Sequence, residues 1–393
     1  GSATRINSQG LIEEVANGQS RLNYPMIDGK VVGCPHHILE PQITNSITNS
    51  EDLSSGFFNE NTSELLNVII SPDGTLNADK LVENNANDRH ELYSGTLSFS
   101  GTSSISFFAK AEQRRYISVF FGGNPSSGGA TFDVQDGFVS LTSGGTDASI
   151  VNYGNGWYRC SLTSTAATTN RIYYCLRTDA NAVSVQAYQG DGTSGMYLWG
   201  FQAEVGQSYP TSYIPTNGST VTRSAETANG SGDAATFNDS EGVLMAEISA
   251  LADDGTYRSF SLSDGSTDNE LLVYYYGNGI LAADFRVGAV NQAPFSINVN
   301  QLINNKIAFK YKVNDFSLWV NGIKVATDSS GSVPAINTFN NLSIGRANGT
   351  LPFYGNTKQV QYYNSALTDS ELEQLTSWTS FTDMAQAQQY SII

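Results

Sequence analysis

The length, composition and charge of the chain limit what it can be. Its 393 residues are too many for one comfortable hydrophobic core, so we expect two main domains. The 20 Lys and Arg against 37 Asp and Glu give a net charge of -17, and such a surface repels a phosphate backbone, so nucleic acid is not an expected partner. No apolar run approaches the ~20 residues that a membrane-spanning helix needs, and membrane insertion is not expected either.

The sequence of residues 1–50 predicts an extended arm. Its short apolar stretches, "GLIEEV" and "KVVGC", are interrupted by Gly, Asp-Gly and Pro and are too broken to form a domain alone. The segment "CPHH", Cys34 to His37, offers one thiol and two imidazoles, the ligand types that zinc binds. A closed zinc site needs four ligands and the chain has only one other histidine, His90, so packing is favoured over metal binding.

Residues 51–208 show the period-two alternation of β-strands. Stretches such as "SISFFAKA", "YISVFFGG" and "GMYLWGFQAE" recur about every 8 to 15 residues with Gly-rich turn signals between them, a spacing that favours a β-sandwich or jelly roll. If "WYRCSLT" and "RIYYCLR" pair through a turn over residues 164–170, Cys160 and Cys175 face each other. We expect two buried thiols there rather than a disulfide.

Residues 209–226, "YPTSYIPTNGSTVTRSAE", predict a linker. Pro210 and Pro215 lack N–H groups, so the segment cannot form a central strand. Tyr209, Tyr213 and Ile214 are apolar enough to lie against a surface. We predict a semi-rigid connector that packs on the first sandwich.

Residues 227–393 resume the alternation and predict a second sandwich that ends in a short helix. In "SALTDSELEQLTSW", Thr368 can cap the helix and Glu371 lies three residues later, as a capping box requires. The final stretch, "TDMAQAQQYSII", predicts either a further helical turn or an arm that reaches a neighbouring subunit. The whole chain is therefore predicted to be all-β: an N-terminal arm, two tandem antiparallel β-sandwiches and a short closing helix.

Several of these stretches carry a family resemblance. "ATRINSQGLIEEV", "GNGWYRCSLT" and "GDGTSGMYLWGFQAEVG" resemble a lead-in segment and a carbohydrate-binding-module-like jelly roll of bacteriophage tail and fibre proteins, over residues 3–226. "FSLWVNGIKV", "LSIGRANG" and "PFYGNTKQVQYYNSALTDSELEQL" resemble the laminin-G-like, or concanavalin A-like, lectin and glucanase superfamily. The resemblance implies two sandwiches and a virion context, and it leaves the ligand open.

Concanavalin A-like folds include glycanases and lyases, so the resemblance raises the question of a catalytic site. Retaining glycosidases place two carboxylates about 5 to 5.5 Å apart, often from a Glu-x-Asp-x-x-Glu strand, and the chain has no such triplet. "DRHELY", with Arg89, His90 and Glu91, has the residue types of a lyase site but no matching base strands, and a solvated turn or edge is favoured. We therefore expect no enzymatic activity.

Glycan binding has a physical basis in this composition. Sugars stack their C–H faces on aromatic rings while polar side chains bond their hydroxyls, and the chain holds 20 Tyr and 4 Trp. In "DFSLWVNG", Phe316, Leu318 and Val320 take the core face and Trp319 points the other way. Trp319 is therefore a predicted glycan contact.

The same alternation selects the other candidate rings. It turns Trp157 and Arg159 to an outer or concave face, with Tyr174 across the expected strand pair, and it separates Tyr275 from its two tyrosine neighbours. For each ring, packing under a loop or against a subunit is at least an equal expectation. The predicted glycan contacts are Trp157, Arg159, Tyr174, Tyr275 and Trp319.

No cofactor is expected, and calcium is the one metal left open. The loop "DGSTDNE" carries Asp264, Asp268 and Glu270, whose hard oxygens are the ligands that calcium prefers. An ordinary acidic hairpin loop is the favoured interpretation.

Together these features predict a protein on the exterior of a bacteriophage particle, in a tail fibre, spike or head decoration. Its expected partners are host-surface or environmental polysaccharide and other virion proteins, and a closed homo-oligomer such as a trimer would add avidity. The first alternative is a purely structural decoration protein that binds neighbouring capsid or tail subunits. The second is a polysaccharide-degrading enzyme.

Overall fold

The computed structural model describes residues 3–122, 127–165 and 168–387. The regular elements of these residues are β-strands apart from two short helices, so the all-β prediction is confirmed. The chain divides into two compact units: Gly1–Pro35 with Pro41–Ala225, and His36–Glu40 with Glu226–Ile393. The stretch 1–50 is therefore shared between the units. No helix in the described part is long and apolar enough to cross a membrane.

The first unit contains two six-stranded antiparallel sheets. In spatial order, the strands of sheet 1 are Asp147–Gly154, Trp157–Ser164, Ser103–Ala111, Gly195–Val205, Leu76–Glu83 and Thr62–Ile70. The strands of sheet 2 are Phe138–Ser143, Gly129–Asp133, Tyr116–Phe121, Ile172–Arg177, Glu91–Ser94 and Phe57–Glu60.

Shorter strands of this unit form local pairs around the two sheets. They are Ala3–Ile6 with Ile12–Val15, Met26–Ile27 with Lys30–Val31, Ile43–Asn45 with Val221–Arg223, Asn87–Arg89 with Ala187–Gln189, and Leu97–Ser100 with Thr168–Asn170. A further two-residue strand is Leu22–Asn23.

The core of the first unit lies between the two sheets. Phe107 and Phe201 from sheet 1 stack with ring centroids 6.1 Å apart, and Tyr174 from sheet 2 meets Phe107 edge-on at 5.3 Å. All three rings are buried. Burial of each such side chain stabilises the fold by about 1.5–3 kcal/mol. Because side chains alternate between the two faces of a strand, every second residue of these strands contributes to this core.

The predicted pairing of the two cysteine strands is wrong. Trp157–Ser164 belongs to sheet 1 and Ile172–Arg177 to sheet 2, so the chain passes from one sheet to the other between them. The prediction assumed that neighbouring strands pair, which is the commoner but not the only arrangement. Cys160 and Cys175 are nevertheless buried free thiols, and burial raises the pKa of both.

The segment that the sequence predicts to be a linker packs against the first unit. Tyr213 and Ile214 are buried, and the backbone N–H of Ile214 donates to Gln202 Oε1 at 2.7 Å. Asn45 Nδ2 donates to the Ile214 carbonyl at 2.9 Å. Residues 209–225 thus belong to the first unit.

The second unit is also a two-sheet sandwich. In spatial order, the strands of sheet 3 are Ala228–Ser231, Asn341–Ile344, Arg258–Ser263, Glu270–Tyr275, Ile280–Val287 and Val290–Asn291, with Phe295–Asn298 also paired to Ile280–Val287. The strands of sheet 4 in this unit are His36–Leu39, Gly355–Tyr363, Glu241–Ala250, Asn305–Lys312, Phe316–Val320 and Ile323–Asp328.

The closing helix is confirmed as Asp369–Thr376. Both bonds of the predicted capping box are present: Glu371 N–H donates to Thr368 Oγ1 at 3.4 Å, and Thr368 N–H donates to Glu371 Oε2 at 2.8 Å. A second helix, Phe381–Ala387, fits the predicted further turn. The rest of that stretch, residues 388–393, lies outside the described residues.

Candidate functional site

The outer face of sheet 1 is covered, which removes Trp157 from the surface. Alternation places Trp157 on that outer face as predicted, but Ile12 from the N-terminal strands and Tyr213 from the linker pack over it. The ring is only 2% exposed, and its Nε1–H donates to the Ile70 carbonyl at 3.0 Å. The prediction of an accessible ring is therefore wrong, because two non-local segments cover it.

Arg159 binds the linker that packs on the outer face of sheet 1. Its Nη2 donates to the Thr211 carbonyl at 2.6 Å and to Ser106 Oγ at 2.9 Å. The guanidinium carbon lies 5.7 Å above the Phe108 ring. Arg159 thus anchors the linker to sheet 1 rather than projecting to a ligand.

Tyr174 and Tyr275 point into the cores, so the prediction that they face outward is wrong for both. Tyr174 is fully buried because its strand lies in sheet 2 and not beside Trp157. Tyr275 is also fully buried, and its hydroxyl donates to the Ile248 carbonyl at 3.3 Å and accepts from Asn305 Nδ2 at 3.2 Å. Burial raises the pKa of both phenols.

Trp319 lies on the predicted face of sheet 4, but the closing helix covers it. Leu372 from that helix packs in one buried cluster with Trp319 and Met245. Lys324 Nζ lies 5.4 Å above the indole, and the indole N–H donates to Ser317 Oγ at 3.2 Å. The exposed tryptophan that the alternation predicted is thus a core side chain.

The structure does not support the predicted calcium site, because Glu270, one of its three carboxylates, is paired with two arginines. Glu270 is fully buried and bound by Arg346, whose Nε donates at 3.0 Å, with Arg286 Nη1 at 3.6 Å. Asp264 accepts from Ser266 N–H at 2.8 Å within its own turn. Over residues 3–122, 127–165 and 168–387, no three His, Cys, Asp or Glu side chains are grouped to hold a metal ion.

The residues that suggested a lyase lie where one strand, Asn87–Arg89, ends and the next, Glu91–Ser94, begins, with His90 between them. Arg89 pairs with Glu60 at 2.7 Å and with Glu91 at 3.6 Å. His90 is buried against Tyr188, with ring centroids 4.4 Å apart. The imidazole is therefore not presented beside the arginine.

Sheet 2 instead carries a row of aromatic rings that sequence analysis did not select. Phe58, Tyr93, Tyr173 and Phe120 follow one another across four adjacent strands, and we call them the aromatic stripe. Successive ring centroids are 5.6, 5.5 and 5.5 Å apart. Phe58 is 50% exposed, Tyr93 and Tyr173 are half-buried, and Phe120 is buried.

Charged groups border the exposed end of the stripe. Arg171 lies with its guanidinium carbon 4.8 Å from the Tyr93 ring centre and 5.6 Å from that of Phe58. Glu60 follows Phe58 by two residues, on the same face of the strand, and pairs with Arg89; the two side chains are 36% and 42% exposed. Partly exposed aromatic side chains thus lie beside exposed hydrogen-bond donors and acceptors, the combination of residue types that binds sugars.

The stripe was missed because it is created by strand register. Each strand contributes a single outward ring, and these rings align only because Phe58 pairs with Tyr93 and Tyr93 with Tyr173. In "RIYYCLR", the alternation did signal one outward tyrosine. It is Tyr173, the neighbour of the predicted Tyr174.

The second unit has a smaller aromatic surface on sheet 3. Tyr257 stacks on Tyr274 at 6.0 Å and meets Tyr276 edge-on at 4.9 Å; Tyr257 and Tyr276 are exposed, and we call the three the tyrosine cluster. Tyr274 donates from its hydroxyl to Asp284 Oδ2 at 3.2 Å, and Asn291 Nδ2 donates to Asp284 Oδ1 at 2.7 Å. A depression of about 280 Å³ opens beside these side chains.

The Asp284 contact and partial burial raise the pKa of Tyr274 to about 12, with burial the larger cause. The phenol is therefore a neutral hydrogen-bond donor at neutral pH. The arrangement provides aromatic rings beside polar groups that hydrogen bonds hold in place.

Residues 231–373 match the concanavalin A-like lectin and glucanase superfamily. This match confirms the predicted resemblance of the second half of the chain, and the tyrosine cluster lies within the matched range. The superfamily match establishes the fold of this region and assigns it no ligand.

Solved structures with similar folds have low identity to this chain. The CBM40 module of the Ruminococcus gnavus IT-sialidase is 20% identical, with a TM-score of 0.33, over 38% of this chain and 94% of its own. A heptameric SAP-like pentraxin from Limulus polyphemus is 14% identical, with a TM-score of 0.30, over 36% of this chain and 71% of its own. Domains LG4-5 of the mouse laminin alpha1 chain are 11% identical, with a TM-score of 0.25, over 82% of this chain and 94% of its own.

No curated protein matches the chain. At these identities and TM-scores the solved structures carry no information about its function. The functional conclusion depends on the two aromatic surfaces.

Proposed function

We propose that this protein binds glycans without altering them, and that the aromatic stripe is its main contact surface. The observation that supports the proposal is the alignment of Phe58, Tyr93 and Tyr173 beside the exposed Glu60–Arg89 pair. Rings spaced along a rigid sheet offer stacking area at low entropic cost, while the charged pair bonds hydroxyls. The tyrosine cluster provides a second surface of the same chemistry.

A glycan array with matched variants tests this proposal. The wild-type chain should be retained on a subset of polysaccharides, and Phe58→Ala should weaken that retention about tenfold. Phe138→Ala is the control, because Phe138 is 48% exposed on the same unit and lies outside the stripe. Equal retention of the three proteins would contradict the role of the stripe, and retention of none of them would contradict glycan binding.

The absence of catalysis is part of the proposal. The carboxylates that come closest to an active-site arrangement are held by arginines: Glu60 and Glu91 by Arg89, and Glu270 by Arg346 and Arg286. Incubation with the bound polysaccharide should release neither new reducing ends nor unsaturated products.

We also propose that the protein acts on the exterior of a bacteriophage particle, in contact with other virion proteins. This part is supported by the motifs of residues 3–226 that resemble tail and fibre proteins. Several copies in a homo-oligomer such as a trimer would turn weak sites into avid adhesion. Antibody labelling of purified particles, with light scattering of the isolated protein, tests both statements.

One observation favours a structural role as a second candidate function. Thr62–Ile70 is the edge strand of sheet 1 and exposes a row of apolar side chains. Leu65 and Ile70 are 52% and 58% exposed, and Leu66 and Val68 are also exposed. Unpaired backbone groups beside such an apolar row are typical of a protein contact surface.

A further inference from the structure

The first unit contains a cleft that is separate from the aromatic stripe. It has a volume of about 630 Å³ and lies between the N-terminal strands and the outer face of sheet 1. Tyr153 is its half-buried aromatic side chain, Trp157 lies in its wall with only 2% of the side chain exposed, and Leu11 and Ile69 add aliphatic surface. A space of this size suits a small ligand such as one or a few sugar rings.

The charge of the cleft differs from that of the chain as a whole. Among the described residues that line it, the charged ones are Lys30 and Lys110, and none is acidic. The whole chain carries a net charge of -17. Two lysines thus line one cavity of a strongly acidic protein, and no acidic residue lines it beside them.

Neither lysine has a carboxylate partner in the part of the chain that the structure describes. Most of the other lysines are ion-paired: Lys80, also on sheet 1, is bound to Glu112, and Lys312 lies 2.7 Å from Glu241. Since an unpaired ammonium beside apolar surface gains from an anionic partner, these two lysines point to a negatively charged ligand.

Lys110 is positioned by its surroundings. It lies opposite Trp157 in the strand register, so the two side chains share the outer face of sheet 1. Its stem passes beside Gly156, where an added Cβ would lie 3.3 Å from Lys110 Cε. The stem is therefore packed and half-buried, and the side chain forms part of the cleft lining.

The walls of the cleft are held in contact by two glycines. A Cβ on Gly29 would lie 2.8 Å from the Gly154 backbone, and a Cβ on Gly154 would lie 2.7 Å from the Gly29 carbonyl oxygen. Both residues also have positive φ, 74° and 82°. The turn before Lys30 is thus locked against sheet 1, and a preformed cleft loses little entropy on binding.

We propose that this cleft binds an acidic saccharide. The ammonium groups of Lys30 and Lys110 contact its carboxylate or sulfate group, and its ring lies against the aromatic and aliphatic lining. The site goes beyond the proposed function, since it is distinct from the aromatic stripe and either can fail without the other. The cleft is proposed to select acidic saccharides, whereas the proposal for the aromatic stripe does not specify the charge of the glycan.

Calorimetry on the full chain tests the proposal with three probes: a galacturonate oligosaccharide, a sulfated carrageenan oligosaccharide and a neutral galactose oligosaccharide. At least one acidic probe should bind more tightly than the neutral one, with an affinity that falls as salt is added. Lys110→Gln and Lys30→Gln should each weaken acidic binding by about tenfold. Lys312→Gln, at an exposed ion-paired lysine in the second unit, is the matched control and should change nothing.

Indole fluorescence locates the ligand. Binding of the acidic probe should change the emission of the wild-type chain, and Trp157→Phe, measured at a saturating probe concentration, should remove most of that change. Unchanged affinity in both lysine variants, or an affinity for acidic probes no higher than for the neutral one, would overturn the assignment. Binding of the sulfated probe but not the galacturonate, or the reverse, identifies the anionic group. Loss of glycan retention in Phe58→Ala with intact acidic binding would separate the stripe from the cleft.

Discussion

Tyr93 and Tyr173 lie directly opposite each other on neighbouring strands of sheet 2, with ring centroids 5.5 Å apart. Tyr174, one residue further along, points the other way and is fully buried in the core of the first unit. Two adjacent tyrosines therefore have different roles, one on a binding surface and one in the packing. The difference can be measured.

Tyr173→Ala should mainly weaken glycan binding, whereas Tyr174→Ala should mainly reduce the stability of the fold. Removal of the half-buried Tyr173 ring should weaken glycan binding about tenfold and cost about 1 kcal/mol of folding free energy. Tyr174→Ala should leave a core cavity and cost about 3 to 5 kcal/mol, with glycan affinity retained wherever the protein is folded. Urea denaturation and calorimetry on both variants check this. If the Tyr174→Ala protein is fully folded and no longer binds glycans, the assignment of Tyr174 to the core alone is wrong.

Arg159 is expected to act on stability and not on glycan binding. Its guanidinium donates to the Thr211 carbonyl, so Arg159→Ala leaves a buried acceptor without that donor and should cost about 1 to 3 kcal/mol. Limited proteolysis should then cut the linker segment 209–225 sooner than in the wild type. A variant with wild-type stability and weakened glycan binding would restore Arg159 as a ligand contact.

Acid should destabilise the second unit through His36. Burial, with a smaller contribution from Lys358, lowers the pKa of His36 from 6.5 to about 4. Between these values the unfolded chain takes up a proton that the folded chain does not, so the stability contributed by neutral His36 is complete above pH 6.5, falls as the pH drops towards 4, and levels off below.

His36→Gln provides the comparison, because glutamine does not titrate. The wild type should lose more stability than the variant between pH 6.5 and 4, measured as the difference in urea midpoint of the second unit. The carboxylates of the second unit titrate in both proteins, so their contribution cancels in this difference. Parallel pH profiles for the two proteins would contradict the prediction, because they would mean that His36 has the same pKa in the folded and the unfolded chain.

The apolar edge of sheet 1 should control self-association or subunit binding. Val68 is exposed on the edge strand Thr62–Ile70, so Val68→Lys adds a charge without disturbing the core. We expect the wild type to show concentration-dependent association in the ultracentrifuge and the variant to remain monomeric. Phe138→Lys is a control for a charge placed at an exposed apolar side chain elsewhere in the unit. The same sedimentation for all three proteins would exclude this edge as the contact.

Much of the local structure was predictable from the sequence alone. Period-two alternation and Gly-rich turns indicated the all-β class, and the Thr368–Glu371 capping box located the closing helix, because these signals arise within a few residues of chain. Alternation also identified the faces of Trp157 and Trp319 correctly. Each of these inferences concerns one strand or one turn.

The segments that cover the outer faces of the sheets are decided only by the tertiary structure. Trp157 is covered by segments that include Ile12 and Tyr213, and Trp319 by the helix that carries Leu372, so an outward residue became a buried one in both cases. The assignment of the strands at Cys160 and Cys175 to opposite sheets likewise turned Tyr174 inward and brought Tyr173 into line with Tyr93. A single strand determines which side chains share a face, whereas burial and register depend on contacts between residues far apart in the chain, for which one sequence contains no local signal.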